Sequence, residues 1–156
     1  MTGTNHGMTG ALIALTVKNP AAAVPLAIVS HFVQDVIPHW NFGVSRDAGR
    51  NGSFFTRRFN GLLIADFLIA VTMMVILGFV FPDQKWRIWI CMIAAASPDL
   101  MWAYYRLYLE HIKKRQPHFD PLARFHIFVQ WSQTNAGLLV EVIWFIAAWL
   151  IILQFK

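Results

Sequence analysis

The segment from Phe59 to Phe81 is the part of the chain that most limits its fold. Its 23 residues include a single charged side chain, Asp66. An apolar helix of this length crosses a hydrocarbon core of about 30 Å. A second segment, from Ala136 to Phe155, has 20 residues and one charge, Glu141. Hydrophobic residues make up 57% of the chain and charged residues 13%, so the sequence predicts an integral membrane protein rather than a soluble domain.

The remaining apolar segments predict an all-α fold, a polytopic bundle with about four to five membrane-inserted helices. A span over about 86–108 is interrupted at Pro98, where we expect a kink or break. Residues 7–37 predict two helices, either spanning or forming a re-entrant hairpin, and His6 is expected to precede the first. An amphipathic segment over about 119–135 is expected to lie in the interface. No linker divides the chain, so residues 1–156 are predicted to form one helical membrane domain.

The distribution of basic residues predicts the orientation. If the helices alternate, four Lys and Arg lie on one side of the membrane and nine on the other, and the latter side is predicted to be cytoplasmic. The amino terminus is then cytoplasmic and the carboxyl terminus outside. The nine are Arg46, Arg50, Arg57, Arg58, Arg106, Lys113, Lys114, Arg115 and Arg124. These residues lie near the predicted ends of the membrane helices, and no known nucleic-acid-binding motif accompanies them, so a nucleic-acid partner is not expected.

Several ligand-type side chains fall at one depth on different predicted helices. His31 and Asp35 are one turn apart, so both can reach one cation from the same helix face. Asp66 and Asp99 lie in the same predicted leaflet. Ionisable groups facing lipid cost at least a few kcal/mol, so such residues face a polar interior, pair with one another or hold an ion.

This chemistry predicts a centre of one or two divalent ions. Imidazole nitrogen and carboxylate oxygen suit zinc best, with manganese or iron as alternatives. A second cluster of Asp66, Asp99 and His6 would suit a neighbouring ion. Paired metal ions can activate water and neutralise charge on a phosphoryl oxygen, so the expected chemistry is phosphoester hydrolysis.

The motif Ser-His-x3-Asp-x2-Pro-His at 30–39 resembles the His-x3-Asp element of zinc-dependent phospholipase C. Together with Asn-His-Gly-Met-Thr-Gly-Ala near the start and Ser-Pro-Asp at 97–99, the chain more closely resembles bacterial membrane-bound proteins described as metal-dependent hydrolases. The resemblance implies a helical membrane fold in a bacterial inner membrane and hydrolysis of a phosphoester. It covers roughly 20 residues at motif level. The metal ligands that it implies are His6, His31, Asp35, His39 and Asp99.

We therefore expect a membrane-embedded metal-dependent hydrolase that acts on a lipid or lipid-linked phosphoester at the cytoplasmic leaflet. Asp66 and Asp99 are the candidate catalytic carboxylates; Asp66 is expected to act as a further ligand or a general base, and Asp99 is also a candidate metal ligand. The expected partners are membrane lipids and the lipid phosphate itself, while the oligomeric state stays open. Candidate residues for holding the substrate phosphate are Arg57, Arg58 and Arg124.

Other interpretations remain open for the same residues. His31 and Asp35 could form a structural hydrogen bond, Asp66 could be a protonated acid bonded to a neighbouring helix, and Asp99 could cap a helix. Glu141 favours structural hydrogen bonding, and His126 is intermediate. The alternative functions are a metal-ion or proton transporter or sensor, and a non-catalytic scaffold with a structural His-Asp cluster. Transport is disfavoured because the outward halves of the predicted spans are nearly devoid of polar residues.

Overall fold

The computed structural model describes residues 1–40, 57–114 and 120–156. Within these ranges the chain is helical and forms no strand, which confirms the predicted all-α class. The elements in chain order are α1 (Gly3–Thr16), α2 (Pro20–Val36), α3 (Arg57–Val80), α4 (Lys85–Ala96), a 3-10 turn (Ser97–Asp99), α5 (Leu100–Ala103), a π-helical segment (Tyr104–Ile112), α6 (Pro121–Val129), a second 3-10 turn (Gln130–Ser132) and α7 (Gly137–Leu153).

Local sequence explains where α2 and α6 begin. The Asn19 side chain accepts a hydrogen bond from the Ala21 N–H, and Pro20 occupies the first turn, where a missing N–H costs nothing. Asp120 caps α6 in the same way by accepting from the Ala123 N–H at 2.9 Å. That bond lowers the pKa of the exposed Asp120 carboxyl.

The helical break at Pro98 falls where the sequence predicts it. The α-helix ends at Ala96, and Ser97–Asp99 form a 3-10 turn before α5. Proline lacks the N–H that an α-helix would bond at this position. The segment 86–108 is therefore a series of short helical pieces, which confirms the predicted break, while no single helix within it is long and apolar enough to count as a span.

Helix α1 lies at the centre of the bundle and packs against α2, α3, α4 and α7. Its glycines and alanines allow close approach to neighbouring backbones. A Cβ placed on Gly10 would lie 2.3 Å from the carbonyl oxygen of Cys91 in α4. The core around this contact includes Met8, Ala11 and Ala14.

Two carboxylates from distant helices cap the buried amino end of α1. Asp66 of α3 accepts from the backbone N–H of Gly3 at 2.7 Å and of Thr4 at 3.1 Å. Glu141 of α7 accepts from the Thr2 N–H at 3.0 Å. The first turn of a helix has N–H groups without intrahelical partners and a partial positive charge. The two carboxylates accept hydrogen bonds from these N–H groups, and their negative charge balances the positive end of the helix. Because α1 already begins at Gly3, the prediction that His6 precedes the first helix was wrong.

Helix α3 is apolar and largely exposed. Residues Phe59–Val80 are long and apolar enough to cross a membrane, and only 11% of their most apolar window is buried. Within the described ranges no other helix meets both conditions, while α2 and α7 are shorter apolar helices of 17 residues each. The predicted bundle of four to five spans is therefore not supported by these lengths.

Helix α6 has two different faces. Leu122, Phe125 and Phe128 are exposed, whereas His126 and Val129 are buried against the bundle. This part of the predicted interfacial segment is thus an amphipathic helix, and residue 119 lies outside the described residues. Of the basic residues that predict the orientation, Arg46, Arg50 and Arg115 also lie outside them.

Candidate metal centre

Five ionisable side chains from four parts of the chain meet inside the bundle, and we call them the His-Asp cluster. Four of these side chains are 0% exposed, and Asp99 is 32% exposed. The cluster is thus closed on the inside and open at one carboxylate. Its members are His6 of α1, His31 and Asp35 of α2, Asp99 of the 3-10 turn after α4, and His126 of α6.

Ring nitrogens and carboxylate oxygens of four cluster residues lie close to the Nε2 atoms of His31 and His126. The Nε2 atoms of His31 and His126 are 3.1 Å apart. Asp35 Oδ2 lies 3.4 Å from the first and 2.8 Å from the second, and Asp99 Oδ1 lies 3.7 and 3.6 Å from them. Metal bonds of about 2.0–2.1 Å in a tetrahedron place neighbouring ligand atoms about 3.3–3.4 Å apart. The distances among His31, His126 and Asp35 approach that value, and the ligand atoms of these three residues form one close group.

A backbone hydrogen bond orients His31 for this role. Its Nδ1 lies 2.9 Å from the Ala95 carbonyl oxygen, which can only accept. Nδ1 therefore carries the proton, and in the neutral ring Nε2 presents its lone pair to the cluster. Metal-ligating histidines usually donate their other ring N–H to such a partner, which fixes the tautomer.

His126 has a complementary environment. The Gln130 side-chain nitrogen lies 3.0 Å from His126 Nε2 and 3.2 Å from Asp35 Oδ2, so one amide group contacts two ligand atoms. Among the described residues, His126 Nδ1 is buried without a hydrogen-bond partner. The rings of Phe32 and Trp102 lie 5.8 and 5.7 Å from the imidazole and form apolar walls beside it.

His6 adds a third imidazole on the far side of Asp35. Its ring stacks on His31 with centroids 3.8 Å apart, and its Nε2 lies 3.2 Å from Asp35 Oδ1. Ligand atoms of His6, His31 and Asp99 lie within 4.8 Å of one another, as do those of His31, Asp35 and His126. The Met1 amino group also contacts Asp35 Oδ1. The donor set and the spacing fit a divalent ion, because buried imidazoles and carboxylates are borderline-metal ligands.

The structure places the other predicted site residues elsewhere. Asp66 caps α1, as described above. His39 belongs to neither group of close ligand atoms; its Nδ1 donates to the Ile37 carbonyl oxygen, and burial, followed by the positive amino terminus, lowers the pKa of its ring. Arg124 is exposed on α6. The side chains of Arg57 and Arg58 lie outside the part of the chain that the structure describes.

The sequence-based ligand set omits one residue that the structure brings into the cluster, His126. Its signal is the three-residue spacing of Ala123, His126 and Val129, which marks the buried stripe of α6. A histidine in that stripe must find a polar partner inside the bundle. Gln34 and Gln130, which contact cluster histidines, carry no comparable signal in the sequence.

No family model, curated protein or solved structure matches this chain.

Proposed function

We propose that this protein is a membrane-embedded, metal-dependent hydrolase that acts on a lipid or lipid-linked phosphoester. The observation that carries the proposal is the close spacing of ligand atoms around the buried His31, which belongs both to the group His31, Asp35 and His126 and to the group His6, His31 and Asp99. The hydrogen bond from His31 Nδ1 to the Ala95 carbonyl oxygen supports the proposal. It leaves the unprotonated Nε2 of the neutral ring facing the carboxylate oxygens of Asp35 and Asp99. This assignment agrees with the resemblance to membrane-bound metal-dependent hydrolases.

The ligand chemistry favours zinc, with manganese or iron as alternatives. His31, His126 and Asp35 would hold one ion, because two imidazoles with a carboxylate form a borderline donor set. His6 would contribute to the same ion or to a second one on the other side of Asp35. A bound ion would activate water and neutralise charge on a phosphoryl oxygen.

The residues of the chain divide the remaining tasks. Asp99 is the cluster residue that a substrate or water meets first, because its side chain alone among the five is exposed. We assign Asp99 the role of general base, which accepts a proton from the attacking water at this exposed side of the cluster. Phe32 and Trp102 keep water away from His126, which strengthens the electrostatic interactions of the buried ligands. Arg124, exposed on α6, is the described candidate for holding a phosphate.

The surface of the molecule supports membrane embedding. Large apolar side chains are exposed along α2, α3 and α7 as well as on α6. Exposed apolar area of this extent marks a surface that contacts lipid or protein. In this proposal α3 spans the bilayer, and α2 and α7, each about 26 Å long, insert beside it with α4.

The proposed substrate follows from the position of the open side. Asp99 follows the carboxyl end of α4, and Asp35 lies in the last turn of α2. The exposed basic residues Lys113, Lys114 and Arg124 follow in the next segments, on the side that the positive-inside rule makes cytoplasmic in a bacterial inner membrane. The amino terminus is then inside and the carboxyl terminus outside. A phosphate at that leaflet belongs to a headgroup, and Leu100, exposed beside Asp99, suits the apolar part of such a substrate.

Metal analysis of the detergent-purified protein tests the proposal. We expect one or two equivalents of zinc, manganese or iron in the wild type, loss of metal in His31→Ala and Asp35→Ala, and retention in the control Asp83→Asn, whose carboxylate lies in the exposed turn after α3. Hydrolysis of phospholipid and polyprenyl phosphate in vesicles should follow the metal. Full metal content and activity in both alanine variants would overturn the assignment.

The same measurement separates the alternatives. Metal that is bound without hydrolysis of any lipid phosphate would favour a metal-ion sensor or transporter. A stable wild type that stays free of metal after incubation with zinc would favour a scaffold in which the cluster only stabilises packing.

A further inference from the structure

We propose that Gln34 is a positioning residue for the metal centre, because it holds His6 in the tautomer whose Nε2 carries the lone pair. The inference rests on the proposed function in that the lone pair serves as a metal ligand. Its geometric basis is independent of any metal. Gln34 lies in α2 beside Asp35 and is buried, and His6 lies in α1.

The two nitrogens of His6 have different surroundings. Nδ1 lies 3.1 Å from Oε1 of Gln34. Nε2 lies 3.2 Å from Asp35 Oδ1, is buried and has no hydrogen-bond partner among the described residues. One neutral tautomer would donate to Gln34 and the other to Asp35. The orientation of the Gln34 amide decides between them, because only its oxygen accepts a hydrogen bond.

The Thr9 hydroxyl fixes that orientation. Thr9 Oγ1 donates its one hydrogen to the Asn5 carbonyl oxygen at 3.1 Å. It can then only accept, and it does so from Gln34 Nε2 at 2.8 Å and from Trp144 Nε1 at 3.0 Å. A flipped amide would set Gln34 oxygen against an oxygen with no hydrogen left to donate. The Gln34 oxygen therefore faces His6, and His6 Nδ1 is the donor.

As a consequence, the lone pair of His6 Nε2 faces the Asp35 carboxylate. In the neutral ring, His6 Nε2 and Asp35 Oδ1 are both acceptors at 3.2 Å, an arrangement that a neighbouring cation stabilises, and the Met1 amino group contacts the same Oδ1. Gln34 thus keeps His6 available as a ligand and prevents it from using its single proton on Asp35. Partners of this kind orient ligating histidines and raise their basicity.

Three variants test this role through metal affinity. Gln34→Leu removes the acceptor for His6 Nδ1, and zinc affinity should fall 10–100-fold in a competitive chelator titration. Gln34→Glu, as the neutral acid that burial favours, keeps a carbonyl oxygen facing His6 Nδ1 and an O–H facing Thr9 Oγ1, and its zinc affinity should stay within about threefold of the wild type. The matched control Trp144→Phe removes the other donor to Thr9, leaves the Gln34 bond in place and should also stay within that range.

Nitrogen-15 NMR of His6 in the metal-free protein provides a readout that general destabilisation would not move. We expect Nδ1 protonated and Nε2 unprotonated in the wild type and in Gln34→Glu, and a mixture of tautomers in Gln34→Leu. A proton on Nε2 in the neutral wild-type ring, or unchanged zinc affinity in Gln34→Leu, would overturn the inference. If the wild type binds no metal, the proposed function fails, while the NMR result still decides the role of Gln34 in fixing the tautomer.

Discussion

Helices α1 and α3 reverse the usual relation between polarity and burial. The amino-terminal half of α1 contains Thr4, Asn5 and His6, and all three are buried. Helix α3 has one ionisable residue within its 22-residue apolar segment and presents most of that segment to the outside. In water the apolar helix would be the one inside. In hydrocarbon, by contrast, a helix would gain nothing from burying leucine, and close packing and hydrogen bonds would decide what lies in the centre.

The largest effect that this comparison predicts is at Met8. The side chain is fully buried in α1, so Met8→Ala should lower the free energy of unfolding by about 2–5 kcal/mol through lost contacts and a cavity. The control Phe79→Ala, on the exposed surface of α3, should change it by less than about 0.5 kcal/mol. Denaturant titration in mixed micelles measures both. Equal losses would mean that the surface of α3 is covered by protein.

A charge on α3 tests what surrounds it. Leu68 is 58% exposed near the middle of the apolar segment. If lipid surrounds it, Leu68→Arg costs about 2.5–3.5 kcal/mol of insertion free energy. Gln154→Arg, an exposed site after α7, serves as the control. Membrane fractionation after alkaline extraction should show release or degradation of the first variant alone, and full retention of both would indicate that α3 faces water.

The smallest effect concerns the two glycines. A methyl group at Gly10 meets the α4 backbone, which cannot move aside, so Gly10→Ala should lose about 1–3 kcal/mol. At Gly61 of α3 a Cβ meets nothing within 4 Å, and Gly61→Ala should gain up to about 1 kcal/mol from helix propensity. Thermal unfolding of both variants should give shifts of opposite sign. If both variants shift the melting temperature in the same direction, α1 does not pack against α4 as closely as the Gly10 contact indicates.

The sequence predicts the apolar helices well and the first helix less well. The expected span 59–81 agrees with α3, because hydropathy and length alone define such a segment. The expected hairpin begins at residue 7, four residues after the true start of α1. Thr2 caps this turn locally by accepting from the Asn5 N–H, but the turn is built from polar residues whose other partners, Asp66 and Glu141, are distant in sequence, so its burial is not indicated locally.

The cluster shows the same limit. The spacing of His31 and Asp35 on one helix face is a local property, and the sequence shows it directly. The contact of His126 and Asp99 with the α2 residues depends on how α6 and the turn after α4 pack against α2. The spacing of α6 indicates that His126 is buried, but it does not indicate which helix His126 will face. The assignment of Asp66 to catalysis or metal binding remains a prediction, and the structure gives that side chain a role at the end of α1.

The capping of α1 has a consequence for the order in which the molecule is made. The first turn of α1 is synthesised well before Asp66 and Glu141, which satisfy its N–H groups. Until α7 arrives, that turn lacks a partner for the Thr2 N–H and cannot settle in an apolar surrounding without cost. His6 is carried on the second turn of the same helix. The cluster is therefore completed only after His126 has been made, so a shorter nascent chain holds only part of this set of buried side chains.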